Sequence, residues 1–252
     1  MNFDGKKVLV TGGARGIGRA TALAFATRGA KVAIGYRAGL AEAERTLASL
    51  PGDGHVAIAG DLTDADVARH VVEGAIEALG GLDVLVNSAG VGGHHRLDAV
   101  SYDEWQAAFA RIVATNLIAP ANTCYVAARH MMAHGGGRIV NVSSRGAFRG
   151  EPDQPAYGAS KAGLNALSQS LAQHLAPHGV FVTVVAPGFV ETDMARARLD
   201  GPDGEAIRRQ SPLGRVARPE EVAYGVLMLA SDDAAFMTGT ILDVNGASYL
   251  RS

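Results

Sequence analysis

Short apolar runs alternate along the chain with longer segments in which apolar residues recur every three or four positions. The run at 7–11 (K-V-L-V-T) is rich in β-branched residues and is closed by glycines. Such a run is typical of a strand that is buried on both faces. The predicted strands lie at 7–11, 31–36, 55–59, 83–87, 138–142, 180–185 and 240–244.

The intervening segments have the period of amphipathic helices. Because strand and helix alternate regularly, we predict an α/β fold: a doubly wound, Rossmann-type parallel sheet of about seven strands, with helices on both faces. A length of 252 residues suits one such domain. Thr63 or Asp64 is expected to cap the third helix, and the helix at 102–132 is expected to break near Pro120. The later helices are predicted at 41–50, 65–79, 102–132, 156–176 and 219–230, after a first one that ends near Gly29.

Charge and composition exclude several classes of function. The formal net charge is −2, which provides no field for nucleic acid or an anionic membrane surface. No apolar run approaches the length of a membrane span, and the N-terminus does not resemble a signal peptide. Cys124 is the only cysteine, so no intrachain disulfide can form. We therefore expect a cytoplasmic protein that binds neither nucleic acid nor membrane.

A glycine-rich turn, G-G-A-R-G-I-G at 12–18, follows the first strand and precedes a helix. Bare backbone N–H groups at such a helix N-terminus can receive the pyrophosphate of a dinucleotide. The spacing is Gly-x3-Gly-x-Gly rather than the common Gly-x-Gly-x-x-Gly. A flexible turn is the alternative for any one of these glycines.

The end of the second strand carries Tyr36 and Arg37, at the position where such folds meet the adenosine ribose. An acidic residue there would repel a 2′-phosphate, whereas Arg37 and Arg15 of the glycine turn favour one. We therefore expect NADP(H) as the preferred cofactor, with NAD(H) not excluded. The alternative is that Arg37 is a surface cation at a strand end. Asp61, after the third strand, is expected near the adenine amino group or in a capping turn.

Tyr157 and Lys161 lie one turn apart on the helix predicted at 156–176. An ammonium group about 4 Å from a phenol stabilises the phenolate by roughly 3 pKa units at an effective dielectric near 20. Tyr157 would then both donate and accept a proton near neutral pH. Taken alone, the pair also fits an exposed aromatic residue beside a solvated charge.

Five motifs together resemble the short-chain dehydrogenase/reductase family in its single-domain branch. They are the glycine turn, N-S-A-G at 87–90, Ser144 after the fifth strand, Y-x-x-x-K at 157–161 and P-G at 187–188. Ser144 and Asn116 precede Tyr157 by 13 and 41 residues, the spacing of the family's catalytic serine and asparagine. The resemblance extends from about residue 8 to residue 248.

The resemblance implies four catalytic residues. Tyr157 would be the general acid/base, and Ser144 would hold the reacting oxygen. Lys161 would lower the pKa of Tyr157 and bind the nicotinamide ribose, while Asn116 would position a water beside Lys161. The cofactor residues implied besides Tyr157 and Lys161 are Gly12, Gly16, Ile17 and Gly18 at the pyrophosphate, Asp61 and Leu62 at the adenine, Asn87, Ser88, Ala89 and Gly90 on the adenosine side, and Pro187, Gly188, Val190 and Thr192 at the carboxamide.

The motifs indicate the substrate less specifically than they indicate the enzyme family. The chain resembles reductases of 3-oxoacyl thioesters, and the alternative is a dehydrogenase of a sugar, polyol or other small alcohol. A dinucleotide sensor without catalysis, or an isomerase that holds NAD tightly, is a more distant alternative. Arg145, Phe148, Arg149 and Glu151 follow the catalytic serine and predict a substrate pocket that carries charge.

Three further features complete the predictions. Adjacent histidines at 94–95 have no other ligand at metal spacing nearby, so we expect loop or pocket-lining residues and no metal site. The irregular segment 191–215 is either a mobile substrate lid or an exposed helix pair. The family resemblance also implies a homotetramer or homodimer, with the helices at 102–132 and 156–176 at one interface.

Overall fold

The computed structural model describes residues 1–251 as one seven-stranded sheet flanked by helices. All strand pairs are parallel, and the strands lie in the order β3-β2-β1-β4-β5-β6-β7. This confirms the predicted fold class. The strands are β1 (Lys7–Thr11), β2 (Lys31–Tyr36), β3 (Val56–Ala59), β4 (Val84–Asn87), β5 (Gly137–Val142), β6 (Val180–Pro187) and β7 (Ile241–Val244).

Helices cover both faces of the sheet, and most of their ends agree with the sequence prediction. α3 covers 65–79 as predicted, and Asp64 caps it by accepting from the N–H groups of Asp66 and Val67 at 2.9 and 3.1 Å. The helices are α1 (Gly16–Ala26), α2 (Leu40–Ser49), α3 (Ala65–Leu79), α4 (Tyr102–Val113), α5 (Ala119–Ala133), α6 (Gly146–Arg149), α7 (Pro155–Leu175), α8 (Asp193–Leu199), α9 (Gly204–Arg209) and α10 (Pro219–Ala230), with 3₁₀ turns at Ala176–His178 and Asp232–Met237.

Alternate residues of each strand supply two separate apolar cores. In β1, Val8 and Val10 pack on the side covered by α1 and α10, whereas Leu9 packs on the side covered by α3, α5 and α7. Adjacent side chains of a strand point to opposite faces, so each face receives its own apolar row. The two layers leave the carboxyl ends of the strands open along one edge.

The helical stretch predicted at 102–132 is interrupted close to Pro120, as expected. Helices α4 and α5 are joined by a π-helical turn at Ala114–Ile118, which contains Asn116, and Pro120 lies in the first turn of α5. Proline has no N–H, so Pro120 cannot donate to the carbonyl oxygen of Asn116 four residues earlier, and the regular helical bonding is broken there. The π-helical turn places the side chain of Asn116 against Val91.

The segment predicted as a lid or an exposed helix pair forms two short helices, α8 and α9, with exposed arginines on both. Lid closure stays a prediction. Among residues 1–251 the longest helices are too polar or too short to cross a membrane.

Candidate active site

A cavity of about 550 Å³ opens at the carboxyl ends of β1, β2 and β4. Crevices at this edge are the usual ligand sites of open α/β sheets. Most residues predicted to bind cofactor line it: Gly12, Arg15, Gly16, Ile17, Gly18, Tyr36, Arg37, Asp61, Leu62, Asn87, Ser88, Ala89, Gly90 and Thr192.

The glycine turn forms a wall that has no room for side chains. A Cβ on Gly12 would stand 2.8 Å from the Cα of Ala89, and one on Gly18 would stand 2.2 Å from the carbonyl oxygen of Gly12. Helix α1 begins here without a side-chain cap, so its first backbone N–H groups face the cavity without that partner. The donor set fits an anionic group such as a pyrophosphate.

Arg37 stands at the mouth of this cavity as an exposed cation. Its side chain is 57% exposed, and its Nη1 lies 3.9 Å from Oδ2 of Asp61, too far for a strong ion pair. Asp61 is held by Thr63, whose N–H and Oγ1 both donate to Oδ1. These hydrogen bonds, more than Arg37, lower the pKa of Asp61. Arg37 therefore keeps most of its donors free.

Several lining residues were not predicted from the sequence. They include Thr11, Thr63, Thr115, Ala119, Pro120 and Met194. Thr11 Oγ1 accepts from the N–H groups of Ser88 and Ala89 at 3.2 and 3.3 Å, so it ties the end of β1 to the loop after β4. The sequence did offer one signal for Thr11, which is the polar residue that ends the apolar strand β1.

Asn87 lines the cavity, but its side chain forms hydrogen bonds inside the protein. Its Nδ2 donates to Oδ1 of Asn141 at 2.9 Å, and its Oδ1 accepts from Thr123 at 2.8 Å. These bonds link β4, β5 and α5 beneath the site. Asn87 is therefore a structural brace as well as a lining residue.

Helix α7 carries Tyr157 and Lys161 to the same edge, beside Ser144 at the end of β5. Lys161 is only 4% exposed, and its Nζ donates to the carbonyl oxygen of Val142 at 2.8 Å. The same Nζ lies 5.9 Å from the centroid of the Tyr157 ring. Both residues thus converge at one site, as the spacing predicts.

The acid–base state of this pair differs from the sequence expectation. Burial raises the pKa of Tyr157, and the adjacent Ser144 side chain only partly opposes that rise. Burial lowers the pKa of Lys161 to about 8. The expected depression of the Tyr157 pKa by Lys161 is therefore wrong for the protein alone: desolvation and the nearby Glu151 raise this pKa, and the Lys161 ammonium group donates to Val142.

Asn116 lies in the π-helical turn and is fully buried. Its Oδ1 accepts from the Val91 N–H and its Nδ2 donates to the Val91 carbonyl oxygen, both at 2.9 Å. A Cβ on Gly90 would stand 3.5 Å from Asn116 Oδ1 and 3.6 Å from Lys161 Nζ. Asn116 and Lys161 therefore both approach Gly90, and Asn116 fixes the loop after β4.

The segment after β6 lies at the far side of the cleft. Arg145 donates its backbone N–H to Pro187, and Gly188 donates to Val244 at 3.1 Å. Val190 is buried and bridges to Ala217. Of the four residues predicted for the carboxamide, Thr192 lines the large cavity, whereas Pro187, Gly188 and Val190 do not.

The two adjacent histidines have different surroundings. His94 is exposed and His95 is buried, and the described chain, residues 1–251, contains no cluster of three metal-ligating side chains. His95 packs edge-on against the rings of Trp105 and Phe109. It is the buried residue of the loop 91–97.

Comparison with known proteins agrees with this geometry. A family model described as enoyl-(acyl carrier protein) reductase matches residues 12–247. The 3-oxoacyl-(acyl-carrier-protein) reductase of Vibrio cholerae is 39% identical over 99% of this chain and 100% of its own length. The corresponding enzyme of Escherichia coli is 40% identical with the same coverage of both chains.

Solved structures give the same result. A short-chain dehydrogenase from Burkholderia cenocepacia, solved in complex with NADP, has a TM-score of 0.90 at 35% identity, covering 98% of this chain and 99% of that one. A dehydrogenase/reductase from Sinorhizobium meliloti has a TM-score of 0.91 at 35% identity, covering 99% and 97%. The chain therefore belongs to the short-chain dehydrogenase/reductase family of oxidoreductases, as its motifs predicted.

Proposed function

We propose that this oxidoreductase uses NADPH to reduce the keto group of a 3-oxoacyl thioester. The observation that carries the proposal is the convergence of Tyr157, Ser144 and Lys161 beside a cavity walled by side-chain-free glycines. The similarity to two 3-oxoacyl-(acyl-carrier-protein) reductases over the whole chain supports the substrate class.

The cofactor residues fit a dinucleotide. Gly12, Gly16 and Gly18 would hold the pyrophosphate through backbone N–H groups. Arg15 and Arg37, which both line the cavity, would bind a 2′-phosphate, which favours NADPH over NADH. The bound nicotinamide supplies the hydride, and the protein supplies position and electrostatics.

The catalytic side chains would divide the work on the carbonyl. Ser144 would donate a hydrogen bond to the carbonyl oxygen, which polarises it. Tyr157 would donate its phenolic proton to that oxygen, and the raised pKa of Tyr157 keeps it protonated at neutral pH. Lys161 and Asn116 flank Gly90 and would return a proton toward Tyr157 from solvent.

The test is NADPH consumption by the purified protein with acetoacetyl, crotonyl, diketone and keto-sugar substrates. The proposal expects turnover of the acetoacetyl thioester, reduced about 10²–10⁴-fold in Tyr157→Phe, since that is the usual contribution of a general acid. Turnover of the crotonyl thioester alone would instead indicate double-bond reduction, as the family description suggests. Turnover of keto sugars alone would support the small-alcohol alternative.

We also propose assembly into a homotetramer through α4, α5 and α7. Tyr102 and Tyr125 are 74% and 68% exposed on the first two of these helices. Large aromatic side chains in such positions are typical of an interface. Sedimentation as a monomer at micromolar concentration would contradict this assembly, and Tyr125→Glu should weaken it. The cytoplasmic location stays a prediction, which cell fractionation would test.

A further inference from the structure

Arg145 follows Ser144 directly, and its guanidinium is buried. The residue is 3% exposed, its Nη2 donates to Oε1 of Gln210, and its Nη1 lies 3.5 Å from the carbonyl oxygen of Ser248. Its guanidinium carbon lies 5.1 Å from the centroid of the Phe189 ring. These neighbours fix the guanidinium in place but supply no negative charge.

The charge of Arg145 has no carboxylate at ion-pair distance in the described protein. No carboxylate of residues 1–251 lies within 4 Å of it, and Glu151 acts on it only from a longer distance. Burial and Arg149 lower the pKa of Arg145 to about 10 against the opposing effect of Glu151, so the group stays charged at neutral pH. A buried charge without a partner is costly, and such sites are usually completed by an opposite charge.

A second cavity, of about 170 Å³, adjoins this guanidinium between the ends of β6 and β7 and the segment 211–217. It is smaller than the roughly 300–1,000 Å³ of a pocket for a whole ligand, so it suits one small group. Ser248 also lines it, and the buried Ser248 Oγ has no hydrogen-bond partner.

The other charges that line this cavity are already neutralised. Arg215 forms two bonds of 2.7 Å with Glu221, and Asp243 forms one of 2.7 Å with Arg251. The second oxygen of Asp243, Oδ1, accepts no hydrogen bond and would repel an anion placed against it. An anionic occupant is therefore expected at the end formed by Arg145 and Ser248.

We propose that this cavity is a subsite for an anionic oxygen group of the substrate, a carboxylate or a phosphate. The inference rests on the proposed function, because Arg145 directly follows Ser144, the residue proposed to hold the reacting oxygen of the substrate. Arg198 of α8 lies outside the lining but adds positive charge near it, since its guanidinium lies 5.2 Å from the centroid of the same Phe189 ring. The subsite would make the enzyme prefer carbonyl substrates that carry a negative charge.

Three thioester substrates distinguish a carboxylate from a phosphate as the group that binds in the subsite. The 3-oxohexanoyl thioester of N-acetylcysteamine is neutral, the 3-oxoadipyl thioester of the same thiol carries a terminal carboxylate, and 3-oxohexanoyl-coenzyme A carries phosphates. The subsite predicts a kcat/KM about ten- to a hundredfold higher for at least one charged thioester, the range of charged hydrogen bonds. A higher kcat/KM for the 3-oxoadipyl thioester identifies a carboxylate as the bound group. A higher kcat/KM for 3-oxohexanoyl-coenzyme A identifies a phosphate.

Gln210→Glu is the sharpest variant because it places a carboxylate against Arg145 without removing the guanidinium. It should abolish the advantage of the charged thioester and leave kcat/KM for the neutral one within about twofold, since the change is isosteric. Arg145→Gln should also abolish the advantage. Arg209→Gln removes an exposed arginine of the same segment, paired with Glu205 at 3.0 Å, and is the control that should change nothing.

A binding measurement keeps the inference separate from the proposed reaction. Isothermal titration of the protein with glutarate and with inorganic phosphate should show binding that Gln210→Glu removes and Arg209→Gln retains. That result without turnover of any thioester would reject the proposed reaction and keep the subsite. Equal kcat/KM values for charged and neutral thioesters, or binding unaffected by Gln210→Glu, would overturn the subsite.

Discussion

His95 accepts a hydrogen bond from the backbone N–H of Ala156, with 3.1 Å between Nε2 and the amide nitrogen. A backbone N–H can only donate, so Nε2 must be unprotonated. The other ring nitrogen, Nδ1, lies 2.8 Å from the carbonyl oxygen of Gly93 and must carry the proton. The ring is therefore neutral, and it ties the loop after β4 to the residue that precedes Tyr157.

This relationship predicts that His95 positions Tyr157. His95→Ala should lower kcat about tenfold with little change in the KM for NADPH, because a small misplacement of an acid is costly. His95→Gln can keep an acceptor for Ala156 and should recover most of the rate. Steady-state kinetics of both variants, with the exposed His94→Ala as control, make the test. Loss of His95 that raised KM and left kcat intact would contradict a positioning role.

Folding of these variants can be checked separately. The loss of a buried ring that packs on Trp105 and Phe109 should also reduce stability by about 3 kcal/mol. Tryptophan fluorescence and thermal melting would show whether the kinetic change occurs in folded protein.

Much of the fold followed from local sequence, whereas the fine structure of the site did not. Strand and helix periods predicted α3 and most of α7 because their apolar faces repeat without interruption. Pro120 indicated the position of the helix break, but the bonds of Asn116 to Val91, 25 residues away, were missed. A local pattern contains no record of such bonds.

The electrostatics were harder to predict for the same reason. The spacing of Tyr157 and Lys161 predicts a neighbouring charge, but the pKa depends on burial and on the bond of Lys161 to Val142. Burial of Arg145 likewise comes from Gln210 and Ser248, which are 65 and 103 residues away. Desolvation is a property of the packed protein, not of a motif.

Arg37 should decide the choice between the two nicotinamide cofactors. Arg37→Ala should raise the KM for NADPH about ten- to a hundredfold, the range of hydrogen bonds to charged groups, and leave the KM for NADH nearly unchanged. Arg45→Ala, which removes an exposed arginine paired with Glu42, is the matched control. Equal increases in the KM for NADPH and for NADH would show that Arg37 supports the cavity without binding a 2′-phosphate.

Lys161 should make the stability of the cofactor-free protein depend on pH. Its pKa is lowered from 10.5 to about 8 in the folded state, so between those values the unfolded chain binds more protons. The free energy of unfolding should therefore rise with pH across this window, and the penalty of the buried charge should be complete below pH 8.

Urea denaturation at pH 7.5 and pH 9.5 measures this effect. The wild type should gain about 2 kcal/mol relative to Lys161→Met over that interval, since each pKa unit corresponds to about 1.4 kcal/mol. The comparison with Lys161→Met removes the contribution of other titrating groups. If the free energies of unfolding of the two proteins changed with pH in parallel, the charged form of Lys161 would not be destabilised by burial.

Gly12 should be required for cofactor binding because it packs against Ala89, and not only because of its left-handed backbone conformation. Its φ is +66°, and a Cβ there would stand 2.8 Å from the Cα of Ala89. Gly80 has a φ of +72° with no heavy atom within 4 Å of its Cβ position. Gly80→Ala should therefore cost only the left-handed conformation, about 1–2 kcal/mol, and retain cofactor binding. Gly12→Ala adds a backbone clash, so it should unfold at lower urea concentration than Gly80→Ala and lose detectable binding of NADPH by fluorescence. Equal behaviour of the two variants would mean that the loop after β4 moves aside freely, and that the glycine wall is not a rigid cradle.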